Sequence, residues 1–195
     1  MRKPLIIFFL LIVLPVFATE QTLTYTILFG TEVIGNMTVK KFQQSAVRTE
    51  YLVESHIKID KIVSMEIDYR INAVFENGKL VHSTVLQSSN NKIHTNTKTE
   101  WDGNYYRVIG LDGKRTLRER LIDYNLTTLY YFEPVGKKII WSDSFGKFLS
   151  IKLCGNHRYE LILPDGKKNF YTYNYGICSS VESEQFFSKL TFRLK

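Results

Sequence analysis

The sequence has few of the residues that usually mark catalytic, metal-binding or disulfide-rich proteins. It holds two cysteines, four prolines and four histidines in 195 residues. Two cysteines are too few for a disulfide-dense scaffold or a four-cysteine zinc site. No metal-ligand spacing such as His-x-x-x-His occurs, and the Gly-x-Ser-x-Gly motif of serine hydrolases is also absent. We therefore expect no catalytic residue, no metal site and no cofactor.

Long apolar runs are scarce as well, and the one that exists lies at the N-terminus. Leu5 to Leu14 are all apolar, Arg2 and Lys3 precede them, and Val16-Phe17-Ala18 offers a cleavage site. This order is typical of a secretory signal peptide. The run is shorter than the about 20 residues of a membrane-spanning helix. We expect residues 1–18 to be removed and residues 19–195 to form a single exported domain without a transmembrane helix.

The expected compartment is the periplasm, with secretion or association with the outer membrane as alternatives. Positive charge is in modest excess, with 26 Lys and Arg against 19 Asp and Glu. The lysine pairs Lys40-Lys41, Lys137-Lys138 and Lys167-Lys168 are spread along the chain and lie near predicted turns. Because dispersed turn lysines are usually solvated, we expect no nucleic-acid partner. Weak attraction to an anionic surface remains open.

Alternation of polar and apolar residues dominates the chain and predicts strands with one buried face. It is clearest in Val47–Ile59 and Met65–Phe75, and Asn-Gly or Asp-Gly turn motifs such as Asn77-Gly78 separate successive runs. The pattern predicts an all-β fold, in which a curled antiparallel meander of about ten strands forms a half-barrel or barrel. The segment Ile122–Pro134 breaks the alternation and predicts a short helical plug, with a further strand as the alternative.

The two cysteines flank a stretch that has the pattern of a single β-hairpin. If Asp165-Gly166-Lys167 is its turn, Cys154 and Cys178 lie opposite one another in the ladder. Opposite residues have Cα atoms about 4.5 to 5.5 Å apart, which a disulfide can span. Since an exported protein meets an oxidising environment, we predict a disulfide between them. Two buried free thiols are the alternative.

Aromatic residues are abundant, at 14% of the sequence, and many fall on the apolar faces of predicted strands. Core packing explains such a pattern, and an open interior that binds an apolar small molecule is the alternative. The residues predicted to line or rim that interior are Tyr51, Met65, Ile67, Tyr69, Ile71, Phe75, Trp101, Leu129, Tyr130 and Trp141.

Several stretches together resemble a known family. These are Tyr25–Gly35, Leu129–Pro134, Tyr159–Gly166 and Asn169–Gly176, which are similar to the uncharacterised exported bacterial family DUF6134. Asn125–Phe132 is similar to a segment of the related family DUF3108. These families resemble half-barrel proteins that carry lipoproteins and lipids between envelope membranes. The resemblance implies a β half-barrel and an apolar ligand, although the chain lacks the several covering helices of those carriers, and it brings no catalytic residues.

Three functional hypotheses follow. The leading one is an exported protein that binds an apolar ligand, a lipid or lipoprotein moiety, or another envelope component, with Val47–Ile59 and Met65–Phe75 as the wall and Leu126–Phe132 as the lid. The second is an outer-membrane β-barrel, whose apolar face would point outward to lipid. The third is an enzyme acting on a cell-wall or lipid substrate, for which His157 and Glu160 are a candidate polar pair.

Overall fold

The computed structural model describes residues 18–59, 64–118, 120–184 and 189–195. Residues 1–17 of the predicted signal peptide lie outside the described residues. Within the four ranges, no helix has both the length and the apolar character needed to cross a membrane.

The described residues form one antiparallel sheet of fourteen strands. The strands are β1 Thr19–Phe29, β2 Glu32–Gln43, β3 Arg48–Ile59, β4 Met65–Glu76, β5 Lys79–Ser89, β6 Lys92–Trp101, β7 Tyr106–Gly110, β8 Gly113–Leu117, β9 Ile139–Ser142, β10 Lys147–Gly155, β11 Arg158–Ile162, β12 Lys168–Asn174, β13 Ile177–Ser183 and β14 Leu190–Leu194. A single 3₁₀ turn, Thr128–Tyr130, is the only helical element in these ranges. The predicted all-β class is confirmed, whereas the predicted count of about ten strands is too low.

The sheet is an open meander whose two chain ends meet in its middle. Its strand order is β8-β7-β6-β5-β4-β3-β2-β1-β14-β13-β12-β11-β10-β9. The terminal strands β1 and β14 pair with each other, for example at Ile27 and Phe192. We call β1–β8 the first wing and β9–β14 the second wing. No ladder joins β8 to β9 in the described residues, so the sheet does not close into a hydrogen-bonded barrel.

The alternating pattern of β3 and β4 explains why their inner faces are buried. Tyr51, Val53 and Ile57 are buried on β3, and the charged residues between them point to the outer face. Pairing of β3 with β4 sets Val53 opposite Ile71. Each such apolar side chain contributes about 1.5 to 3 kcal/mol when it is removed from water. The predicted inward faces of these two strands are therefore correct.

The strand count differs because two turns lack a strong sequence signal. The predicted turn at Asn77-Gly78 has both residues at positive φ, as a tight hairpin requires. His157 and Tyr175 also take positive φ, at 50° each, and reverse the chain after β10 and after β12. Residues other than glycine and asparagine rarely adopt this conformation. The single hairpin predicted between Cys154 and Cys178 is therefore the shorter pair β11–β12, and turns on either side lead into β10 and β13.

The two additional turns at His157 and Tyr175 contradict the predicted disulfide. Cys154 is exposed on β10, Cys178 is buried on β13, and both are free thiols. Strands β11 and β12 lie between β10 and β13 in the sheet. Three strand spacings correspond to roughly 14 Å, well beyond the Cα separation of about 7 Å that a disulfide allows. The prediction was wrong because it extended the β11–β12 register past the ends of both strands.

A segment between the wings joins two hydrophobic clusters. We call residues 120–138, which connect β8 to β9, the crossing segment. It contributes Ile122 and Tyr131 to the cluster under the first wing. It contributes Tyr124 and Leu129 to the cluster under the second wing. Since one short stretch packs against both wings, it holds the curled sheet together where the ladder is open.

Candidate functional site

A cavity of about 680 Å³ lies between the inner faces of the two wings. On the first wing its apolar wall consists of Met37, Ile57, Ile67 and Ile71. On the second wing the matching wall consists of Leu161, Leu163, Val181 and Leu190. Leu126 and Tyr130 of the crossing segment add a third wall. The hollow is therefore bounded by residues far apart in sequence that the curled sheet brings together.

The cavity reaches the surface at two turns. Phe145, in the β9–β10 turn, lines it and is 44% exposed. Asp165 and Lys167, in the β11–β12 connection, also line it and are exposed. The Lys167 ammonium lies 2.9 Å from the Asp165 carboxylate, so their charges offset each other. These three residues mark the mouth.

Three tyrosines line the cavity and have few fixed partners. The Tyr69 hydroxyl lies 2.8 Å from the Ser144 hydroxyl, and the Tyr130 hydroxyl lies 3.7 Å from the Met37 sulfur. Tyr171 lies near the Asn169 side chain. Burial raises the pKa of all three phenols well above the ordinary value. They are therefore neutral hydrogen-bond donors at any physiological pH.

The β9–β10 turn, residues 143–146, bridges the gap between the sheet edges. Thr97 on β6 donates a hydrogen bond of 3.0 Å to the Ser144 carbonyl. Arg115 on β8 donates one of 2.9 Å to the Phe145 carbonyl. Side chains of the first wing thus bind the main chain of the second wing where no ladder forms. Ser144 and Phe145 also line the cavity, so this bridge is part of its wall.

A buried polar cluster supports the same turn from behind. The Asn125 side-chain amide donates to both carboxylate oxygens of Asp143, at 3.1 and 2.9 Å, and the Thr127 hydroxyl donates to Asn125 at 2.8 Å. Asp143 is completely buried. Burial raises its pKa to about 6, although hydrogen bonds from Ser83 and Asn125 oppose that rise. The cluster ties the crossing segment to the β9–β10 turn.

Four of the predicted interior residues line the cavity: Ile67, Tyr69, Ile71 and Tyr130. Of the predicted lid Leu126–Phe132, Leu126 and Tyr130 face the hollow. The alternation pattern identified these positions because their strands were read correctly.

The other six predicted residues lie in closely packed surroundings. Tyr51 contacts Phe75 with ring centroids 5.8 Å apart. Trp101 packs on Tyr106 at 4.8 Å, and Trp141 packs on Phe148 at 5.2 Å. Met65 packs against the first cluster, and Leu129 belongs to the second. None of the six is among the described residues that line the cavity.

We call the interior around Leu129 and Tyr131 the packed region. There, tyrosine hydroxyls contact main-chain carbonyls. The Tyr131 hydroxyl lies 2.7 Å from the carbonyl oxygens of Gln21 and Val39. Tyr173 donates to the Leu129 carbonyl at 2.9 Å. These bonds anchor the crossing segment to strands of both wings.

Sequence reasoning missed the buried cluster and most of the second-wing wall. The stretch Ser142-Asp143-Ser144 has the composition of a polar turn, and nothing local indicates that Asp143 is buried against Asn125. Leu161 and Val181 were missed because the predicted wall was confined to Val47–Ile59 and Met65–Phe75. The alternation of Val181 with Ser180 and Glu182 was the signal that could have found it.

The candidate enzymatic pair does not form a shared site. The His157 ring lies 3.0 Å from the Glu133 carboxylate. Glu160 instead lies 3.3 Å from each of Lys152 and Lys168. No group of three or more His, Cys, Asp or Glu residues arranged for a metal ion occurs in the part of the chain that the structure describes.

Comparisons with known proteins address the fold and the family. No curated protein matches the sequence. Among solved structures, the crystal structure of a beta-barrel-like protein of domain of unknown function DUF1849 from Brucella abortus is similar, with a TM-score of 0.51. The match has 8% sequence identity and covers 90% of this chain and 95% of that one, so it bears on the fold alone. The family model described as "Domain of unknown function (DUF6134)" matches residues 25–195. The predicted resemblance is confirmed, and the chain belongs to the DUF6134 family.

Proposed function

We propose that this protein is exported and binds an apolar ligand, such as a lipid or lipoprotein moiety, in its interior cavity. The cavity itself carries the proposal. Its volume of about 680 Å³ falls within the range of about 300 to 1,000 Å³ that is usual for small-molecule sites. Its walls are mainly aliphatic and aromatic, with a few hydroxyl groups, which is the usual composition of such sites.

Small polar residues on inward-facing positions help to keep the cavity open. Ser55, Thr95 and Ser183 all line it, in strands β3, β6 and β13. Protein interiors are otherwise close-packed, and a side chain beside a hollow forfeits dispersion contacts. Larger apolar residues at these positions would fill the space. Side chains therefore pack less closely around the cavity than they do in the packed region.

The outer face favours an interior ligand over the outer-membrane alternative. Glu54, His56 and Lys58 alternate with the inward residues of β3, and β4 carries Asp68 and Arg70 in the same way. A membrane-spanning barrel turns an apolar band outward to lipid. Charged outward faces on these two strands fit an aqueous exterior instead.

Binding is tested first by native mass spectrometry of the mature chain purified from its own compartment, followed by denaturing extraction and lipid analysis. We expect an apolar molecule at about one per chain. The neutral fluorescent reporter N-phenyl-1-naphthylamine then tests the cavity directly. Ser55→Trp should weaken reporter binding by about tenfold or more because the indole occupies the hollow. Ser150→Trp, on an exposed position of β10, is the matched control and should leave binding unchanged.

A bare mass together with equal reporter binding by both tryptophan variants would refute an interior site. Export is tested separately by cell fractionation and by the mass of the mature chain. We expect the N-terminus at Thr19, with the protein in the periplasmic fraction. Recovery of the uncleaved chain in the cytoplasm would contradict that part of the proposal.

A further inference from the structure

The charge distribution of the cavity restricts what it can hold. Only two charged side chains occur among the described residues that line it, Asp165 and Lys167, and they pair with each other at the mouth. An anionic group deeper inside would have no cation to compensate the loss of its hydration. Burying an unpaired charge is strongly unfavourable. The interior therefore excludes a carboxylate or phosphate from its deeper part.

The buried carboxylate of Asp143 reinforces this exclusion. Its sequence neighbours Ser142 and Ser144 both line the cavity, so the carboxylate lies directly behind the wall. Its recorded side-chain partners, Asn125 and Ser83, are uncharged. A second negative charge on the other side of the wall would meet repulsion in a poorly screened environment.

The interior is not uniformly apolar, however, because one hydroxyl has no strong acceptor. The Tyr130 hydroxyl contacts the Met37 thioether at 3.7 Å, and no other hydrogen-bond partner of this hydroxyl is found among the described residues. Sulfur in a thioether is a weak acceptor. Met37 and Tyr130 both line the cavity, and Tyr69 and Tyr171 are neighbours of Tyr130. An O–H donor that has only a weak acceptor therefore borders an apolar space.

We propose that the cavity takes an uncharged apolar molecule that carries a hydrogen-bond acceptor, such as an ester or ketone oxygen, and that Tyr130 donates to this acceptor. The inference rests on the proposed function, since it assigns a ligand class to the same site. The acceptor replaces the Met37 sulfur as the partner of the hydroxyl. The aliphatic walls of both wings cover the rest of the molecule.

The test is displacement of N-phenyl-1-naphthylamine from the mature protein by three chain-matched competitors: decane, methyl decanoate and, at about pH 8, ionised decanoate. In the wild-type protein, methyl decanoate should displace the reporter at a concentration about tenfold or more below that of decanoate, because the anion lacks a partner inside. In Tyr130→Phe, the concentration of methyl decanoate that displaces the reporter should rise by about fivefold, which is the effect of one hydrogen bond. The corresponding concentration of decane should not change. Tyr175→Phe, at a 99% exposed tyrosine, is the matched control.

The outcomes separate the two proposals. If decanoate displaces the reporter as well as its methyl ester does, the ligand class is overturned while an apolar site remains. The same holds if Tyr130→Phe weakens displacement by decane and by the ester equally. If the reporter does not bind the wild-type protein, the proposed function fails and this inference fails with it. The wild-type comparison of decanoate with its methyl ester needs no variant, so it tests the ligand class even if Tyr130→Phe does not fold.

Discussion

The packed region and the cavity use the same kinds of side chain in different ways. In the packed region, the hydroxyls of Tyr131 and Tyr173 contact main-chain carbonyls. In the cavity, the hydroxyls of Tyr69 and Tyr130 contact side-chain atoms. A main-chain carbonyl is fixed by the sheet or the crossing segment, whereas a side-chain partner can rotate away. The first set is thus structural, whereas under the proposed function the second set exchanges its partner for a ligand.

The largest expected effect comes from truncating a buried side chain in the packed region. Tyr131→Ala removes a 5% exposed ring that contacts Tyr51, and should lower the free energy of unfolding by about 3 to 5 kcal/mol. Tyr69→Ala, beside the hollow, should cost only about 1 to 2 kcal/mol because that ring already lacks neighbours on one side. Urea denaturation measures both. Equal costs would show that the cavity is as tightly packed as the rest.

The next effect concerns Asp143, whose carboxylate lies between the two regions. Because burial raises its pKa to about 6 in the folded protein, the folded state binds this proton more tightly than the unfolded state does. The resulting stability is present below the ordinary pKa and is lost as pH rises through about 6. Asp143→Asn should therefore gain about 3 kcal/mol relative to wild type between about pH 4 and about pH 7.5.

Urea denaturation of both proteins at the two pH values measures this difference. The comparison cancels other titrating groups and any constant cost of the amide. A difference between variant and wild type that does not change with pH would contradict the raised pKa.

A smaller effect distinguishes the two sets of hydroxyls directly. Tyr173→Phe leaves the Leu129 carbonyl without its 2.9 Å partner, and should lower the free energy of unfolding by about 1 to 2 kcal/mol. Tyr130→Phe loses only a contact to sulfur and should change it by less than about 0.5 kcal/mol. Thermal and urea unfolding compare the pair. The reverse order would mean that Tyr130 is the structural residue.

The smallest effect is expected at Cys154, which is exposed and lies outside both regions. Cys154→Ser should change the free energy of unfolding by less than about 0.5 kcal/mol, because Cys154 is an exposed free thiol. In the native protein a thiol reagent should label Cys154 alone. Burial shields Cys178 and raises the pKa of its thiol to about 12. A mass two hydrogens below that of the protein with free thiols would indicate a disulfide and would contradict the strand register.

Much of the first wing was predictable because its signals are local. The inward faces of β3 and β4 follow from strict alternation, and Asn77-Gly78 fixes a turn that few other dipeptides adopt. Candidate residues on those faces, such as Ile67 and Ile71, consequently line the cavity. The second wing was less predictable because the turns at His157 and Tyr175 contain no Asn-Gly or Asp-Gly pair. Because the predicted β11–β12 register extended too far, the prediction left out two turns and included a disulfide that the structure does not contain.

The sequence by itself determined the all-β class, the buried faces of the long strands and the family, because alternation and turn chemistry act between near neighbours. Only the tertiary structure decided which interior residues pack and which border a hollow. Trp141 and Tyr69 were both predicted to line or rim the interior, yet the first packs against Phe148 and the second faces the cavity. That distinction depends on where the crossing segment passes between the wings, and on contacts such as Asn125 with Asp143. Those contacts join residues whose proximity exists only after the sheet has curled.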